Sequence, residues 1–157
     1  MKRTCIAAPP IRIAETVGQA LAVRGRRRLV TPQDLPKGWL PEGFDFVHGD
    51  PLTYEELDAC DGALTACAAA IAATGTIILE HSSGQGCGRL TLIPDYHHCV
   101  VFTSQVFETV AEAIRNVAAS ASPITTISGP SATSDYRDDR VKGVHGPRYF
   151  DVIVVQE

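Results

Sequence analysis

Between Ile124 and Arg148 the chain gathers the side chains best suited to chemistry, in the run ITTISGPSATSDYRDDRVKGVHGPR. Ser128, Ser131, Thr133 and Ser134 supply hydroxyls and Asp135 a carboxylate. His145 brings an imidazole suited to proton transfer near neutral pH. Arg148 brings a guanidinium that grips a carboxylate or phosphate through two parallel hydrogen bonds. The β-branched run at 124–127 predicts a short strand, stopped where Gly129 frees the backbone and Pro130 fixes the exit direction. A strand ending in such a turn leaves N–H groups and hydroxyls at a sheet edge. In open α/β sheets ligands bind at the carboxyl ends of strands. Composition alone favours the plainer account, a helix capped by Ser131 or Thr133 and a simple Gly-Pro turn. Arg148 is matched equally well by a structural pair with Asp135, Asp138 or Asp139, and His145 by a hydrogen bond to its own turn. A Ser131–His145–Asp135 triad can be named, but the G-x-S-x-G elbow that would present the serine is absent.

The blocks Ser128–Asp135 (SGPSATSD) and Gly143–Arg148 (GVHGPR) resemble the signature of the lactate-utilisation (LUD) domain family, in its small type without iron–sulfur clusters. Ala70–Thr76 (AIAATGT) and Leu92-Ile93-Pro94 with His97 close behind agree with it, so the likeness runs from about residue 60 to the C-terminus. The resemblance implies the fold of ribose-phosphate isomerase, glucosamine-phosphate isomerase and CoA-transferases. It also implies a cytosolic L-lactate to pyruvate oxidation system whose iron–sulfur clusters sit in partner subunits. It makes Thr74, Gly75, Thr76, Gly129, Pro130, Ser131, Thr133, His145, Gly146 and Arg148 the expected ligand-binding set, with His145 and Asp135 as catalytic candidates. Three loops, 74–76, 94–98 and 128–148, are expected to converge on a small anionic ligand. Two departures weaken the case for chemistry: Ala73 and Ala68 stand where the family usually carries acidic residues, and carboxylates are the natural bases and nucleophiles of such enzymes. The N-terminal helical segment of the family is expected to be missing.

These blocks need a scaffold. Ile13, Val17 and Leu21 recur at four-residue spacing and predict a helix over 11–23, ended by Gly25. Residues 29–31 predict a strand, 32–41 a proline-rich loop anchored by Trp39, and 44–47 an edge strand. Thr53 and Glu56 have capping-box spacing ahead of a helix over 54–59. The run at 63–66 is ambiguous, 68–74 reads as an alanine-rich helix, and 76–79 as a strand. The Gly-rich stretch 82–88 resembles a phosphate loop in composition only, having no P-loop lysine. Strands at 89–93 and 99–103, a helix over 104–120, and strands at 124–127 and 149–155 complete the reading. Strands alternating with helices predict one α/β domain over residues 1–157, a three-layer sandwich around a mainly parallel sheet, with 1–10 flexible.

At 157 residues, with 45% hydrophobic and 20% charged, the chain suits a single soluble core. A formal net charge of −4 argues against a general nucleic-acid or anionic-membrane surface. No signal peptide and no apolar stretch of transmembrane length is evident. Five scattered cysteines without a C-x-x-C pair fit a reducing cytoplasm and argue against a cluster on this chain. His97 and His98 lack the spacing of helix-borne zinc ligands, and adjacent histidines on a strand point apart, so no metal site is expected. The leading expectation is therefore an accessory subunit, not catalytic alone and without a cofactor of its own. Two others stay open: an isomerase or acyl/CoA-transferase-like enzyme on a phosphorylated or thioester substrate, and a degenerate domain acting only in assembly.

Overall fold

The computed structural model describes residues 2–48, 52–82, 84–117, 122–128, 132–134, 140–142 and 146–157. In chain order the elements are β1 (Lys2–Ala8), α1 (Ile13–Arg24), β2 (Arg28–Thr31), β3 (Asp45–His48), α2 (Tyr54–Asp58), β4 (Gly62–Thr65), β5 (Ala69–Ile71) and β6 (Thr76–Glu80). They continue with α3 (Gly88–Leu92), β7 (Tyr96–Phe102), β8 (Val106–Phe107), α4 (Val110–Val117), β9 (Ile124–Ile127), β10 (Ala132–Ser134), β11 (Arg140–Lys142) and β12 (Tyr149–Val155).

Six strands form a parallel sheet in the order β1-β12-β7-β4-β2-β3. Its central strands are buried on both faces and read as near-continuous apolar runs, as parallel strands must. Side chains alternate: on β12, Ile153 and Val155 join Val17, Leu21 and Leu64 under α1, while Phe150 and Val152 turn to the other face. There the second sheet, β8-β5-β6-β9, packs Ala70, Ile77 and Leu79, with Cys67 just ahead of β5, against Cys99, Val101 and Phe150. α2 and α3 cover the remainder of that face through Leu57 and Leu90, and α4 lies on the outer side of the small sheet. The result is an α/β sandwich around a mainly parallel sheet, as the alternation of elements predicts.

Several elements differ from the sequence reading. Residues 2–8, expected to be loose, pair with β12 along its whole length; Pro9 then ends the strand. The alanine-rich stretch 68–74 is a strand and turn, not a helix. It is buried on every side over 69–71 and too short to be stable as an isolated helix, and its pairing partner β6 is β-branched. Where a strand was expected over 89–93, the chain forms the short helix α3 (Gly88–Leu92), dropping Leu90 into the core ahead of Pro94. After β7 the chain makes a 3-10 turn and β8 before α4 begins at Val110, later than expected. The Thr53–Glu56 capping box forms with both hydrogen bonds, 3.2 and 2.8 Å. Trp39 anchors its loop, 5.7 Å from the Phe102 ring.

Candidate functional site

Two of the three expected loops meet at the start of β6. The 74–76 block is the hairpin turn between β5 and β6, and Gly75 adopts φ 60°, a left-handed conformation that explains the glycine without a ligand. β9 runs antiparallel to β6 with Ile127 opposite Ile77, which brings Ser128 beside Thr76. The hydroxyls then form a chain: Thr74 Oγ1 lies 2.7 Å from Thr76 Oγ1, which lies 2.6 Å from Ser128 Oγ. Three hydroxyls joined by two hydrogen bonds retain one proton to donate outward.

Arg148 lies elsewhere. It precedes β12, at the amino edge of the parallel sheet and not at the carboxyl edge where ligands were expected. Its backbone N–H donates to the Asp95 carbonyl at 2.8 Å, and its guanidinium pairs with the Asp95 carboxylate at 3.5 Å. The pairing with Asp95 was not among the sequence-based alternatives. Both side chains are more than half exposed, so the pair is screened and weak. They line a polar cleft of about 310 Å³ with Arg26, Asp58 and Asp61, where carboxylates outnumber guanidinium groups, a poor setting for an anion. Asp61 is engaged. Burial pushes its carboxyl up, but hydrogen bonds from the Arg28 and Arg27 N–H groups outweigh that and hold it low. Gly146 takes φ 88° and packs toward Leu92. Gly129, Pro130, Ser131, Asp135 and His145 lie outside the described residues, and Thr133 is described only as backbone of β10.

The 94–98 block is also resolved into separate roles. His97 and His98 follow Tyr96 at the start of β7, both fully buried, and point to opposite faces, as adjacent strand residues must. His97 Nε2 lies 2.8 Å from Thr65 Oγ1 and its ring lies tilted against that of Phe150 with centroids 5.0 Å apart, while Nδ1 has no partner among the described residues. His98 Nδ1 contacts the Tyr96 hydroxyl at 2.5 Å, and that hydroxyl donates to Asp151 at 3.2 Å. Asp151 in turn accepts two hydrogen bonds from Arg24, at 2.9 and 2.7 Å, and Arg24 also reaches Thr4 at 3.1 Å. Since Tyr96 donates to Asp151, His98 donates from Nδ1 and leaves Nε2 an acceptor without a partner among the described residues, less costly than a stranded N–H. Burial drives both histidines to the neutral form, His97 to about 3 and His98 to about 4. The weaker depression at His98 reflects the neighbouring Asp151 charge. Burial alone would raise Asp151, but the Arg24 hydrogen bond and charge reverse that and keep it ionised.

This network escaped the sequence reading. Its one signal was a lone carboxylate inside the apolar strand YFDVIVV, which a buried charge must pair to tolerate. It ties β1, α1, β7 and β12 together rather than facing a ligand. A separate cavity of about 370 Å³ lies between the two sheets, walled by Ala70, Ile71, Val101, Phe150 and Val152, with Thr76 on its lining. Among the described residues no three His, Cys, Asp or Glu side chains are grouped to hold a metal ion. No described helix is long and apolar enough to cross a membrane.

The LUD domain family matches residues 50–155 of the chain. A protein named Lactate utilization protein C from Deinococcus radiodurans is 48% identical over 93% of this chain and 68% of its own length. A protein of the same name from Halalkalibacterium halodurans is 33% identical over 74% of this chain, which spans about half (53%) of that relative. A solved DUF162 family protein, also from Deinococcus radiodurans, superposes with a TM-score of 0.85 at 40% identity, covering 98% of this chain and 88% of that one. On sequence and on fold, the chain belongs to the LUD domain family.

Proposed function

We propose that the chain serves lactate utilisation as an accessory subunit, acting in the cytoplasm with iron–sulfur partner subunits that oxidise L-lactate to pyruvate. The observation that carries this is the 48% identity, across almost the whole chain, to a protein named for lactate utilisation. Five free cysteines fit a reducing compartment. The accessory role is supported by what surrounds the hydroxyl chain. Thr74, Thr76 and Ser128 bond to one another, with no described histidine or carboxylate bonded to them, an arrangement suited to holding an acceptor group and not to activating a nucleophile. A small anionic ligand fits this corner better than it fits Arg148, which shares its cleft with the carboxylates of Asp58, Asp61 and Asp95.

The test is deletion of the coding gene followed by growth on L-lactate as sole carbon source. Growth should fail and return with the intact gene, and the purified chain alone should not reduce an artificial electron acceptor with L-lactate. Unimpaired growth would overturn the role, and turnover by the isolated chain would overturn its accessory character. A purely assembling role draws on one observation, that Val110 and Ile114 of α4 are 50% and 39% exposed. In that case Ile114→Asp abolishes complementation while Thr76→Val leaves it intact.

A further inference from the structure

One edge of the parallel sheet is left open. β1 is its terminal strand, paired with β12 from Lys2 to Ala8, and no described strand lies on the other side. The Ala8 carbonyl accepts from the Gln156 N–H at 3.1 Å, so the backbone groups of Ala8 point toward β12. Strand alternation then turns those of Ile6 and Thr4 inward as well, and those of Arg3, Cys5 and Ala7 outward to the open side. An unpaired strand is a template for another chain, and proteins blunt it with a proline, a charge or a bulge. From Thr4 to Ala8 there is no proline and no charge, and the unbroken register with β12 leaves no bulge.

We propose that the chain self-associates through β1, two copies joining their parallel sheets into one across an antiparallel β1–β1 pair. The outward groups are symmetric about Cys5. A twofold axis there sets Cys5 against Cys5 and Arg3 against Ala7, each pair exchanging both N–H···O bonds. Such pairing closes the open edge of both copies at once, whereas a foreign strand would add an edge of its own. Apolar surface flanks the same edge. Val23 of α1 is 86% exposed, and its neighbour Arg24 reaches Thr4 of β1 at 3.1 Å. Val23 lies about 140° around the helix from Gly18, which meets Pro41 of the loop between β2 and β3, at the far edge of the sheet. The flank carrying Val23 therefore looks toward β1, and the axis brings the two flanks together. A strip about 23 Å long and about 20 Å deep covers on the order of 500 Å² per partner, the weak end of specific interfaces. This association is separate from the proposed role in lactate oxidation and stands or falls without it.

Sedimentation velocity of the purified chain, from low to high micromolar concentration, reads the mass. The chain should pass from monomer to dimer as concentration rises. Ala7→Pro should raise the dissociation constant by roughly tenfold, because it removes an outward N–H and leaves the bonds to β12 in place. Ile114→Asp, on the exposed side of α4, should dimerise as the wild type does. Amide exchange of the wild-type chain decides the proposal even if a variant fails to fold. The Cys5 and Ala7 amides should exchange quickly when dilute and slowly when concentrated, while Ile6, turned to β12, stays protected throughout. Cys5 is a free, exposed thiol. Opposed Cys5 residues with Cα atoms about 5.5 Å apart should be joined by a short bifunctional thiol reagent. A chain that stays monomeric at the highest concentration overturns the proposal. So does a dimer that survives Ala7→Pro in a folded protein, that is lost in Ile114→Asp, that leaves the Cys5 and Ala7 amides exchanging at their dilute rate, or that yields no Cys5–Cys5 link.

Discussion

The two faces of the parallel sheet solve the problem of burial in opposite ways. Toward α1 the sheet carries charge: Arg24, Asp151, Tyr96 and His98 form a continuous hydrogen-bonded set, with the Asp151 side chain only 3% exposed. Toward the small sheet it is neutral. His97, Thr65 and Phe150 lie there among aliphatic side chains, and a cavity remains beside them. A buried ion pair tolerates little displacement, because any lost partner leaves an uncompensated charge. Aliphatic surfaces meeting across a gap have no such constraint. The contrast assigns rigidity to the α1 face and leaves unfilled space on the other.

Acid should cost the most, and it acts on both faces. Each histidine has a folded pKa below its unfolded value of 6.5, so the unfolded state binds more protons between the two. Stability is therefore full above about pH 6.5 and falls as the pH drops toward about 4 and about 3. Asp151, held below its usual range, adds a loss in the same direction at lower pH. For two histidines the limit is on the order of 5 kcal/mol between pH 6.5 and 4.5. Urea midpoints measured across that range should decline steadily, and a flat profile would mean the histidines are not buried neutral.

Asp151→Ala comes next, at about 3 kcal/mol, because it strands Arg24 and removes the acceptor of the Tyr96 hydroxyl. Val152→Ala, one residue along the same strand, should cost only about 1 kcal/mol, since its side chain already borders a cavity. Chemical denaturation of the pair sharpens the comparison: equal costs would erase the distinction between the faces.

How far the sequence disclosed this arrangement depended on the kind of signal. Four-residue apolar spacing placed α1, and β-branched runs placed β6, β9 and β12, because each pattern reports one element's own geometry. The Thr53–Glu56 box placed α2. The same signal at Thr109 and Glu112, where both capping bonds form at 3.3 and 3.1 Å, marks the true start of α4 and was overlooked. Ala69–Ile71 misled because alanine favours a helix locally, while pairing with β6 and complete burial decide for a strand. At the site, the sequence picked out Thr74, Thr76 and the stretch containing Ser128. It had no means of showing that two hairpin hydroxyls and one strand end become a single chain. The position of Arg148 at the amino edge was not legible for the same reason, since which edge of a sheet a loop occupies depends on the direction of its strand.

Arg148→Ala gives the smallest expected effect and bears most directly on the resemblance. As an anion-gripping residue its loss would remove a carboxylate's main partner. As the structure has it, the guanidinium is 67% exposed and meets an Asp95 that is 53% exposed, and the backbone bonds from residues 148 and 149 to the Asp95 carbonyl survive the substitution. Exposed pairs of this kind contribute about 0.5 kcal/mol, and salt screens them further. The melting temperature should therefore barely move, and the small difference should vanish at high salt. Complementation of growth on L-lactate should be unchanged, whereas Thr76→Val, at the hydroxyl chain, should impair it if the anion binds there. If Arg148→Ala instead abolishes growth while leaving stability intact, the amino edge holds the ligand and the functional ranking of the two regions reverses.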